Sequence, residues 1–138
     1  EAAMSITIAT NREMGGLEVT YAPGTVTPQD LAAQRSRVAD AVSQSGIRKV
    51  LMDASALERL PSIVTVLEHN QRVATHEILR TTRFAVVCAS LGQDARNLET
   101  TGVNRGVNIK CFTSRAGALV WLMHEPNPSM HLRAGEEG

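Results

Sequence analysis

Aromatic side chains are scarce in this chain, which has one Trp, one Tyr and two Phe in 138 residues. A platform that stacks single-stranded bases needs more of them, so that surface is excluded. Neither sign of charge dominates, since 14 Lys and Arg stand against 14 Asp and Glu. No global field therefore draws the protein to nucleic acid or to an anionic membrane. Arg72, Arg80, Arg83, Arg96 and Arg105 are interleaved with Glu68, Glu77, Asp94 and Glu99, the pattern of a solvated surface of mixed sign. No apolar run approaches the ~20 residues of a membrane span, and the N-terminal residues lack the basic-then-apolar order of a secretory signal. A cytoplasmic address is the expectation. Only Cys88 and Cys111 carry thiols, both inside apolar runs, and they read as small, inert, reduced core residues.

The usual signatures of catalysis are missing as well. Gly15 and Gly16 lie between two strand patterns, and Gly92, Gly102 and Gly106 lack the order of a phosphate-cradling loop. His69 and His76 are seven residues apart, about 10 Å along a helix at ~1.5 Å per residue. One zinc ion needs its ligands closer together, so no metal is expected and both rings are assigned to the solvated side. Cys88, followed by Ala89 and Ser90, ends a strand pattern, yet no His lies in the neighbouring loops to activate it. The expectation is a non-enzyme without cofactor or catalytic residues.

The chain has the length of one domain, and an apolar fraction of 43% suffices for one core. Residues 5–10 and 17–21 alternate apolar and polar positions around the turn formers 11–16, which predicts an antiparallel hairpin at one side of a sheet. Thr27-Pro28-Gln29-Asp30 supplies an N-cap hydroxyl, a proline at the first helical position and an acid on the positive end of the dipole. The helix that follows presents Leu31, Val38, Ala39 and Val42 on one face, keeps Arg35, Arg37 and Asp40 for water, and stops at Ser45-Gly46.

Lys49 to Asp53 has consecutive apolar residues, as a strand covered on both faces requires. A second helix is predicted from Pro61 to about Leu79 on Ile63, Val66, Leu67, Val73, Ala74 and Ile78. Phe84 to Ala89 is another buried strand. Gln93 to Arg105 reads as a helix in which Gly102 lets the backbone approach the sheet, and Gly106 ends it. Asn108 to Phe112 closes the sheet, and Thr113 or Ser114 caps a last helix with Ala116, Leu119, Val120 and Met123 inward and Trp121 nearby. The organisation is a single domain over residues 5–123 and a disordered tail over 124–138. The fold class is α/β, one mixed, mostly parallel five-stranded sheet flanked by four helices in the order β-β-α-β-α-β-α-β-α.

The Thr-Pro helix, the strand Lys49-Val50-Leu51-Met52-Asp53 with Ser55 after it, and Asn104-Arg105-Gly106-Val107-Asn108-Ile109-Lys110-Cys111-Phe112 leading to Ala118-Leu119-Val120-Trp121-Leu122 resemble the STAS domain family. The likeness is to its SpoIIAA-like branch and runs from about Ser5 to Met123. It implies a small bacterial α/β regulator that binds a protein partner and is switched when a kinase phosphorylates a serine at the start of the helix after the acid-ended strand. By that resemblance Asp53 is the strand-end acid, Ser55 the small polar residue after it, and Ser62 the phosphorylated serine. Pro61 stands where switch members carry an acid, and Ile63-Val64 where they carry a small residue and glycine.

The expected role is therefore a protein-interaction or regulatory module contacting its partner between Asp53 and Leu67. The alternative is a small-molecule or lipid-binding module resembling CRAL-TRIO domains, with Asp53, Ser55 and Ser90 on the rim of a pocket at the strand ends. Either reading admits a homodimer, and neither involves nucleic acid.

Overall fold

The computed structural model describes residues 6–124. Five strands lie in one sheet in sequence order: β1 (Ile6–Asn11), β2 (Gly16–Tyr21), β3 (Lys49–Asp53), β4 (Arg83–Val87) and β5 (Asn108–Phe112). β1 is antiparallel to β2, and every later neighbour is parallel. The helices are α1 (Pro28–Ser45), α2 (Ile63–Thr75), α3 (Gln93–Asn104) and α4 (Arg115–Met123). The predicted order is observed with one addition, a 3-10 turn at Leu79–Thr81. The expected tail lies outside the described residues from position 125 onward, as does Ser5.

β3 is the middle strand, and its unbroken apolar run follows from the two layers around it. Val50 and Met52 face a core shared with α1, α2 and α3, whereas Leu51 faces a smaller core with Ala118 and Leu122 of α4. Met14, held in the hairpin turn by its N–H donating to Asn11 Oδ1 at 3.2 Å, fills that second core. Arg83, at the start of β4, donates to the carbonyls of Trp121 (2.6 Å) and His124 (3.3 Å) and stacks on the Trp121 ring, which fixes the end of α4.

Local chemistry sets the boundaries. Thr27 and Asp30 form a reciprocal capping box, and Gly46 ends α1 at φ 74°. α2 stops at Thr75, earlier than the spacing predicts, because His76 Nδ1 accepts the N–H groups of Ile78 and Leu79 and turns the chain into the 3-10 segment. Gly102 makes the expected close approach, since a Cβ there would stand 2.6 Å from Ile109 Cγ2.

Two expectations about faces are corrected. On α4 the inward residues are Ala118 and Leu122, with Leu119 half-buried, while Ala116, Val120 and Met123 are exposed. A nine-residue helix that is apolar on nearly every side offers the period no polar face to exclude. His69 is not on the solvated side but lines the seam between α1 and α2, where Arg35, also expected to face water, packs half-buried against it.

Candidate functional site

β3 delivers Asp53 to the carboxyl end of the sheet, on the face that α4 covers, because its side chain alternates with that of Met52. There Asp53 Oδ1 accepts the N–H of Ser55 at 3.1 Å and its hydroxyl at 2.6 Å, a closed acid–serine turn. The chain then crosses to the other face. Ala54 N–H donates to Val87 O at 2.9 Å, Leu57 is buried beside Gly24, and Glu58 N–H donates to Gly24 O at 2.9 Å. These bonds pin residues 54–58 and carry Leu60 and Pro61, both half-buried, to the start of α2.

Ser62 is the N-cap of α2 and is exposed. Its Oγ accepts the Thr65 N–H at 3.5 Å and donates to Thr65 Oγ1 at 3.3 Å, two long bonds within the first turn of an exposed residue. The next two residues point outward: Ile63 is 45% exposed and Val64 74%. The spacing predicts Ile63 on the buried stripe of Val66, Asn70 and Val73, but periodicity does not register where the surface underneath a helix stops. The result is an apolar first turn headed by an accessible hydroxyl.

Beside it lies a cleft of about 280 Å³ between residues 54–60 and the start of α3. Ser90 lines it, whereas Asp53 and Ser55 do not, so the predicted rim is divided between two places. Glu58, Arg59, Gln93 and Asp94 also line the cleft, and none stands out in the sequence as a site residue. Their only signal is position, in the loops that follow β3 and β4.

Under α1 and α2 two small, partly open hollows measure about 30 and 50 Å³, room for a few waters. His69 lies in the wall of both, and Gln34 and Met52 border them too. Burial and then the Arg35 charge hold the His69 ring down to about 4, so it is neutral at physiological pH. Gln34 accepts a hydrogen bond from the buried Tyr21 hydroxyl, whose ionisation burial pushes up. On the opposite face Arg115 grips the Glu18 carboxylate through both terminal guanidinium nitrogens and lowers its proton affinity. No group of three or more His, Cys, Asp or Glu among the described residues is arranged to hold a metal ion, and no described helix is long and apolar enough to cross a membrane.

No known family profile and no curated protein matches this chain. Solved structures do, two of them as follows. An uncharacterized DUF3478-family protein with a SpoIIAA-like fold from Shewanella loihica PV-4 is similar with a TM-score of 0.58 at 18% identity, covering 87% of this chain and 93% of that one. An anti-sigma factor antagonist from Mycobacterium paratuberculosis is similar with a TM-score of 0.54 at 16% identity, covering 87% and 94%. The fold is SpoIIAA-like, as the sequence resemblance implies.

Proposed function

We propose that this chain is a non-enzymatic regulatory module, working in the cytoplasm, that binds another protein through the surface between Asp53 and Leu67. The observation that carries the reading is the outward-facing pair Ile63 and Val64 beside the exposed cap Ser62. A helix start with apolar side chains in water gains by covering them, and rigid backbone on either side lowers the ordering cost of doing so. The pinned segment 54–58 supplies that rigidity. The protein of the same fold from Mycobacterium paratuberculosis is an anti-sigma factor antagonist, and we extend partner binding from it to this chain.

Ser62 is the position at which that binding would be switched. A phosphate on its exposed hydroxyl would sit against the unpaired N–H groups and positive dipole end of α2, and it would place a double negative charge beside Ile63 and Val64. Asp53 and Ser55 act as a support, their turn fixing how the chain leaves β3. The small-molecule or lipid-binding alternative is the weaker reading, because the cleft at the strand ends, about 280 Å³, is lined in good part by the charged and polar side chains Glu58, Arg59, Gln93 and Asp94 rather than by an apolar wall that would hold an acyl chain. Incubation with a serine kinase of the anti-sigma type followed by peptide mass spectrometry tests the switch. Phosphate on Ser62 supports it, and phosphate on any other serine, or on none, removes it.

A further inference from the structure

We infer that this chain forms a two-fold dimer through the outer edge of β1, joining two sheets into one that runs across both copies. The two borders of the sheet, β1 and β5, are built differently. At β5 the border is closed from within: Glu99 on α3 accepts the Cys111 N–H through Oε1 at 2.8 Å, and exposed Lys110 adds a charge to the strand. Groups of this kind keep another strand from adding to a sheet. β1 itself carries none of them. Ile6–Asn11 contains no charged residue and no proline, and its register with β2 runs without a bulge.

The backbone of β1 is turned for such a contact. The Ile6 carbonyl faces away from β2, where it accepts a long bond of 3.4 Å from Nη1 of the exposed Arg37. Alternate residues of an antiparallel ladder point both backbone groups the same way, so Ile8 and Thr10 face outward with Ile6. A second copy related by a two-fold axis through Ile8 sets Ile8 opposite Ile8, Ile6 opposite Thr10 and Thr7 opposite Ala9. Every outward residue then meets an outward residue, which a register centred on Thr7 or Ala9 does not achieve.

Side chains select a second copy as the occupant. A strand paired with its own image brings like charges together wherever it has any, and β1 has none. Ile6 and Ile8 are half-buried at the margin of the larger core, and Thr10 and Ile8 of the other copy would cover them and extend that core across the join. On the opposite face the small, exposed Thr7 and Ala9 leave the two backbones room to approach. A foreign strand draws its selectivity from pockets for alternate side chains, and none of the hollows described above borders β1. The contact also closes at two copies, because both outer borders of the joined sheet are then β5, the edge that Glu99 caps. The dimer stands or falls without the partner binding proposed at the start of α2.

Light scattering of the full chain, from low micromolar to sub-millimolar concentration, should give twice the monomer mass at the upper end. Where the mass is doubled, amide hydrogen exchange should find Ile8 and Thr10 protected, since in one copy alone their N–H groups point away from β2. Thr7→Lys with Ala9→Lys faces Lys with Lys across the join and should halve the mass while thermal unfolding is retained. Thr7→Lys with Ala9→Glu faces Lys with Glu and should keep the dimer. A monomer at every concentration, a dimer that survives the paired Lys substitutions, equal loss of the dimer from both double variants, or free exchange at Ile8 in the dimer would overturn the proposal. Mass and exchange of the wild-type chain are read whether or not either variant folds.

Discussion

The Arg35 guanidinium donates from Nη1 to Nδ1 of His69 at 2.8 Å across the seam between α1 and α2. Because an Arg can only donate, His69 must accept at Nδ1 and stay neutral.

That neutrality makes stability depend on pH. The folded His69 titrates near 4 against about 6.5 for an unperturbed ring, so below 6.5 the unfolded chain binds the extra proton. The stabilisation is complete above pH 6.5, falls as pH drops from there to about 4, and amounts to at most roughly 3.5 kcal/mol at ~1.4 kcal/mol per pKa unit. Urea denaturation at pH 7.5 and pH 5 should show the loss in wild type and a flatter profile in His69→Gln.

Gly102→Ala should destabilise the fold by about 1–2 kcal/mol, the overpacking against Ile109 exceeding the ~1 kcal/mol that Ala gains over Gly in a helix. Combining it with Ile109→Val, which trims the side chain that is struck, should recover part of the loss in a double-mutant cycle by thermal denaturation.

Asn70 is buried, and its Nδ2 donates to Leu98 O at 3.1 Å and Thr101 Oγ1 at 2.8 Å, tying α2 to α3. Asn70→Asp replaces the donor with an oxygen facing two acceptors and should cost about 3 kcal/mol or more at pH 7. Chemical denaturation of the variant against wild type at that pH measures it.

The sequence carries enough to place most of this architecture, for identifiable reasons. Thr27, Pro28 and Asp30 announce α1 because capping is local chemistry, and Val50-Leu51-Met52 announces a strand buried on both faces. What depends on distant neighbours was hidden. The inward side of α4 is set by which residues meet Leu51 and Ala85, and the burial of His69 by an Arg 34 positions earlier. Asp53, Ser55 and Ser62 are singled out by likeness alone, and the exposure of Ile63 was not legible, since a helical period continues past the surface that covers it.

Replacing Ile63 and Val64 with Glu should leave stability within about 1 kcal/mol of wild type, because both side chains already meet water. Thermal unfolding checks that, and it frees the variant for the decisive comparison.

That comparison is photocrosslinking in the cells of origin, with a benzophenone residue at position 64 and, as control, at Arg105, an exposed residue at the end of α3. A discrete adduct with one other protein from position 64, absent from position 105 and lost when Ile63 becomes Glu, is what partner binding at the start of α2 predicts. The same adducts from both positions, or an adduct unaffected by Ile63→Glu, would contradict it.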